Sequence, residues 1–255
     1  TEASLARIDR DDLVRFCRQL LSRSGLRVVA TGDLTANELG SVLDNLFASL
    51  PVELAMVLPR TLVPRPSRGT IAVIGGFSQS LAVIALPFLP PHDPAFPAAL
   101  VLQRILGGDQ LEARLLAELR VRRRLAYSAS IDFAGDSYSS LLKGELVTVR
   151  DRMDEAIGAA LSVLSGLAES GPTHDEVESA KSYLIGSFPL SFDSSRQIAA
   201  NLLALRMAGH APDYVARRAE ALAHVTREDV HWVARQWLKP AAASIVVVGP
   251  QSGVP

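Results

Sequence analysis

Apolar positions recur at helical spacing near the start of the chain, at Leu13, Phe16, Cys17 and Leu20. They follow Asp9 and Asp12, spaced as in a capping box with Asp replacing the usual Glu or Gln. The same pattern returns near the end: Thr226 and Asp229 precede Val230, Val233, Ala234 and Trp237. A polar or proline-containing break follows each helix, then a short strand, RVVAT (27–31) or SIVVV (244–248), ending on Gly32 or Gly249. Residues 6–32 and 223–249 align without a gap at an offset of 217. Each copy therefore predicts a capped helix, a turn and a terminal strand. Solenoid units run roughly 20 to 50 residues, so this offset is the length of a whole domain. If both copies close a domain, residues 1–50 are the C-terminal tail of a truncated first domain, and the second domain ends near residue 250.

The pattern between the copies is consistent with that division. Thr35 and Glu38 form a second capping box that opens a helix to about Leu50. Residues 51–69 carry Pro51, Pro59, Pro64 and Pro66 without sustained periodicity and read as an interdomain linker. From Thr70, TIAVIGG and SLAVIALPF predict strands around a glycine-containing turn. Residues 94–106 and 111–122 are helical in pattern, with LGGDQ between them. LAYSASIDF and SYSSLLKGELVTV predict a strand pair joined at AGDS. Helices are expected near 151–169, 174–187, 194–208 and 213–223, the second opened by Thr173 and Glu176. Strands, then a run of helices, then one returning strand predict an α+β fold. Its sheet is mostly antiparallel, with the helices packed on it.

Composition narrows the function classes. With 48% hydrophobic and 21% charged residues the chain is globular and not disordered. A formal charge of −1 argues against nucleic-acid binding, and the basic cluster RVRRR (120–124) stands alone. No apolar run approaches the roughly 18 residues of a membrane span. The single cysteine, Cys17, cannot form an intrachain disulfide or a thiolate zinc site. Its place in a helical pattern predicts a buried, inert thiol. The histidines are His92, His174, His210, His224 and His231, and none completes H-x-x-E-H, so no metal site is expected in this chain. No G-x-S-x-G nucleophile elbow occurs, and GGF and LGGD are too short for phosphate loops. The acidic pairs Asp11–Asp12 and Asp175–Glu176 fall in first helical turns, where they complement the helix dipole.

One stretch remains, residues 115–133. Leu111, Leu115 and Leu119 predict a buried helical stripe with Arg120 beside it and Arg122–Arg124 in the following turn. The next strand alternates, grouping Tyr127 with Ala129, Ile131 and Phe133. The residues alone are compatible with an edge tyrosine and a helix-end cation. However, LEARLLAELRVRRRLAYSAS (111–130) resembles a segment of the insulinase/pitrilysin zinc metallopeptidase family, roughly G-G-x-S-x-L-x-x-x-L-R-x-x-x-x-L-x-Y-S. That family includes the mitochondrial processing peptidases and the core subunits of the cytochrome bc1 complex. LQRILGGD (102–109) and the helix–strand endings of both copies are similar to it as well.

The resemblance implies two homologous α+β domains, with the zinc motif early in the first. Residues 70–250 would be the complete second, non-metal-binding domain, and 51–69 the linker. It implies that Arg120 binds substrate and that Tyr127, seven residues on, is a catalytic donor to the substrate carbonyl and oxyanion. The short, serine-free GGDQ departs from the family pattern and argues against substrate contact by Gly107 or Gly108. The expected partners are a peptide substrate and a zinc-bearing first domain, in the same native chain or in a partner subunit. No cofactor is expected in this chain, zinc lying in that missing domain or subunit, so the chain alone would be inactive. The rival expectation is a non-catalytic scaffold subunit like the respiratory core proteins. A composition rich in Ala, Arg and Leu, with family habit, suggests a bacterial, periplasmic protein.

Overall fold

The computed structural model describes residues 1–53, 69–75, 78–108, 111–135 and 140–249, which divide into two compact units. The expected linker over 51–69 lies outside the described residues except at its two ends. So do residues 76–77, residues 109–110 of LGGDQ and residues 136–137 of AGDS.

Unit 1 comprises Thr1–Arg60 and Ser191–Leu205. It contains α1 (Glu2–Leu5), α2 (Arg10–Leu20) and α3 (Ala36–Phe47). All three open with reciprocal capping boxes, and those predicted at Asp9/Asp12 and Thr35/Glu38 are both formed. Neither α2 nor α3 contains a buried residue. Two expectations fail here. Cys17 is exposed, not buried: on the apolar side of α2 Leu20 is half-buried, but Leu13 and Phe16 are 57% and 50% exposed. RVVAT is not a strand. A strand exists only by exchanging backbone hydrogen bonds with a neighbour, and the described part of unit 1 offers none; Thr31 instead donates its hydroxyl proton to the Ser195 carbonyl, at 2.7 Å.

Unit 2 comprises Thr61–Leu190 and Arg206–Pro255. In chain order it holds β1 (Gly69–Ile74), β2 (Ser80–Pro87), α4 (Phe96–Gly107), α5 (Arg114–Leu116), β3 (Ser128–Gly135) and β4 (Ser140–Thr148). Then come α6 (Met153–Ser170), α7 (His174–Ser187), α8 (Ser195–Met207, residues 195–205 counting with unit 1), α9 (Tyr214–Ala223), α10 (Arg227–Trp237) and β5 (Ser244–Gly249). The sheet order is β1-β5-β2-β4-β3, with only β1–β5 parallel. The mostly antiparallel α+β architecture matches the pattern of the sequence. One detail differs: β1 and β2 do not pair around their turn, because β5 lies between them. The run Ile245–Val248 is apolar without alternation; Ile245 is buried and Val246–Val248 are half-buried.

One sheet face carries the core. Ala82, Ile84 and Leu86 of β2, Leu142 and Leu146 of β4, and Ala129 and Ile131 of β3 are buried beneath the helices. α10 repeats the length and cap of α2 but buries Val230, Val233 and Ala234 completely. At roughly 1.5–3 kcal/mol for a fully buried large aliphatic side chain, this packing separates the two copies energetically. Phe88, Phe96, Phe133 and Trp237 close the core at its edge, with ring centroids 5.1 to 5.9 Å apart.

Candidate functional site

Arg120 and Tyr127 lie at the two ends of one loop. The helix carrying Arg120 begins at Arg114, three residues later than predicted; Leu111 lies before it and is 57% exposed, so the buried stripe is Leu115, Leu116 and Leu119. From Ala117 to Arg122 the helix widens to π geometry, and the Arg123 N–H donates to the Glu118 carbonyl five residues back. No sequence signal marks that widening, which is rare and frequent at functional sites.

The chain then turns sharply. Arg124 adopts φ +54°. The N–H groups of Leu125 and Ala126 both donate to the Leu119 carbonyl, at 2.6 and 3.2 Å. The buried Thr148 hydroxyl donates to the Leu125 carbonyl, and the Tyr127 N–H donates to the Val147 carbonyl at 2.9 Å. Leu125 and Ala126 are thereby drawn into the core, while Arg120, Arg124 and Tyr127 remain exposed. The Tyr127 ring is 57% exposed, although it shares strand parity with the inward-facing Ala129 and Ile131. Among the described residues neither the Tyr127 hydroxyl nor the Arg120 guanidinium has a hydrogen bond or ion pair.

The base of this loop is held by charge. Arg114 grips Glu176 through two N–H···O bonds of 2.7 and 2.8 Å and reaches the Gly171 carbonyl at 3.3 Å. Glu176 also accepts the Thr173 N–H at 2.7 Å, completing the predicted capping box of α7. Burial alone would raise the Glu176 carboxyl, but the bonds from Arg114 and Thr173 hold it below its ordinary value. Arg114, Glu118, Arg122, Val163 and Glu176 line an adjoining groove of about 380 Å³.

The remaining candidates have structural roles. A Cβ on Gly107 would sit 2.3 Å from Ile131 Cγ2, so this glycine permits close packing of α4 on β3; one on Gly108 would sit 2.6 Å from the Arg104 guanidinium of α4 itself. Among the described residues no three His, Cys, Asp or Glu side chains are grouped to hold a metal. His231 lies beside Gly171, His224 bonds the Glu220 carbonyl through Nδ1, and His174 is exposed. Sequence reasoning missed one buried cluster. His210 is 8% exposed and stacks on Tyr214 at 3.9 Å, and Arg218 lies over the Phe188 ring while donating to the Leu184 carbonyl. Burial, then the charges of His92 and Arg218, push the His210 pKa down.

Comparison with known proteins places this geometry. A non-peptidase homolog, YmxG, from Helicobacter pylori is 25% identical over 191 residues, covering 74% of this chain and 44% of that protein. An uncharacterized zinc protease of Streptomyces coelicolor is 28% identical over 253 residues, covering 94% and 53%. The chain thus spans about half the length of the curated relatives it matches. The crystal structure of a peptidase M16 inactive domain from Pseudomonas fluorescens shares the fold, with a TM-score of 0.84 at 24% identity over 99% of this chain and 60% of that one. The family model of the peptidase M16 inactive domain matches residues 7–184, which include the π helix, the turn and both ends of the loop. By that match, this chain belongs to the peptidase M16 inactive domain family.

Proposed function

We propose that residues 70–250 form the second, substrate-binding domain of a zinc metalloendopeptidase, and that residues 1–50 belong to a preceding domain of the same duplicated fold. The observation that carries this reading is the loop from Leu119 to Tyr127. It is fixed by backbone bonds at both ends, yet its arginine and phenol are exposed and unengaged among the described residues. Such groups are donors open to a bound peptide, on a backbone that is already fixed. The Arg120 guanidinium donates to a peptide backbone carbonyl, and the Tyr127 hydroxyl donates to the carbonyl oxygen as it gains negative charge. In this reading the zinc ion belongs to a first domain or a partner subunit. The exposed apolar sides of α2 and α3 support the assignment of residues 1–50.

The test is Tyr127→Phe in the complete natural protein with any partner subunit. Turnover of a peptide should fall by roughly 10²–10³-fold if Tyr127 is an oxyanion donor. Unchanged turnover removes it from the mechanism. A second reading, a non-catalytic assembly subunit, is favoured by the non-peptidase name of the Helicobacter relative. Bound zinc and peptide cleavage by the natural protein would rule that reading out; the absence of both would overturn the peptidase reading.

A further inference from the structure

The stretch Arg120–Arg124 carries four arginines, and the structure treats them unequally. Arg122 and Arg123 share one carboxylate, Glu118, at 3.3 and 2.7 Å. Arg120 and Arg124 are exposed and have no ion pair or hydrogen bond among the described residues. Arg124 is also the one non-glycine residue with positive φ among the described residues. The turn requires that conformation, because it lets Leu125 and Ala126 both reach the Leu119 carbonyl. Glycine would adopt it at lower cost, since a Cβ crowds the neighbouring carbonyl there. An arginine at a position better suited to glycine adds one thing, a cation on the surface. Strain of this kind at an exposed turn points to function more than to folding.

The position matters as much as the charge. Arg124 and Tyr127 flank the two residues anchored in the core, so both emerge from the same rigid turn. We propose that Arg124, with Arg120, forms a carboxylate-recognition subsite that selects peptides with an acidic group close to the segment engaged by Tyr127. This rests on the reading of Arg120 and Tyr127 as peptide-binding groups. A guanidinium suits a carboxylate because two parallel N–H donors match its two oxygens. The carboxylate can come from an Asp or Glu side chain or from the C-terminus of a peptide.

Fluorescence titration of the complete natural protein, with any partner subunit and with zinc chelated so that no peptide is cut, with three dansylated hexapeptides tests this. One carries a central Glu and an amidated C-terminus; the second carries Gln and an amide; the third carries Gln and a free carboxylate. One acidic peptide should bind about tenfold more tightly than the neutral one, and whichever does identifies the source of the carboxylate. That preference should shrink to within about twofold in Arg124→Gln and persist in Arg122→Gln. Arg124→Gly should lose the preference while raising Tm, which separates lost recognition from lost folding. Equal binding of all three peptides, or a preference that survives Arg124→Gln, overturns the subsite and leaves the peptide-binding reading in place. Binding of none of them overturns both. Tighter, Arg124-dependent binding of a 12-nucleotide oligothymidylate would instead make the turn a phosphate reader and overturn the proposal.

Discussion

At Gly107 a single absent methyl group sets how closely α4 meets β3. A Cβ there would lie 2.3 Å from Ile131 Cγ2 and 2.6 Å from the Ile131 backbone nitrogen, so backbone as well as side chain stands in its way. Gly107→Ala should therefore destabilise the chain by at least about 2 kcal/mol, an overpacking cost, read as a lower urea midpoint. A change within about 0.5 kcal/mol would mean that α4 can shift to make room. At this scale a glycine that resembles part of a substrate-binding loop is accounted for by packing. Arg120 and Tyr127 differ from it in having exposure without internal partners among the described residues.

Among elements, α2 and α10 make a natural experiment. Both are 11 residues long, both open with a reciprocal cap, and they occupy equivalent places in the repeat. Their apolar residues meet different surroundings. Val230→Ala should cost about 2 kcal/mol as a core truncation, whereas Phe16→Ala should change stability by less than about 0.5 kcal/mol. Chemical denaturation of the two variants checks this, and similar losses would show that α2 is packed in solution. The caps, helices and breaks were legible in the sequence because they depend on neighbours three or four residues apart. The place of β5 between β1 and β2 and the absence of a strand at 27–31 were not, because each depends on distant partners, and the π widening at Ala117–Arg122 carries no sequence signal.

Two groups, the buried His210 and the half-buried Glu176, tie the stability of unit 2 to pH. His210, with its pKa held below the ordinary 6.5, favours the neutral ring when folded; the unfolded chain takes up a proton first, so stability is complete above about 6.5 and falls as the pH drops below it. Glu176 is held below its ordinary 4.5, so the stability from its ion pair is present above that value and is lost as pH falls through the folded pKa. The urea midpoint should fall in two steps on acidification. His210→Phe should flatten the upper step while keeping the stack on Tyr214, and Glu176→Gln should flatten the lower. A flat wild-type profile from about pH 7 to about pH 5.5 would show that His210 titrates as a solvated histidine.

The sequence by itself determined the α+β class, the caps and the two closing helices, since periodicity and spacing are local properties of the chain; Arg120 and Tyr127 were singled out by the family resemblance of residues 111–130. Only the tertiary structure decided which of the two equivalent helices is buried, which strand sits between β1 and β2, and which arginines of the basic cluster are already neutralised. The first two outcomes turn on contacts between residues far apart in the chain, the packing of Val230, Val233 and Ala234 into the core and the pairing of β5 with both β1 and β2; the third turns on where the turn points each guanidinium, since Glu118 is within reach of Arg122 and Arg123.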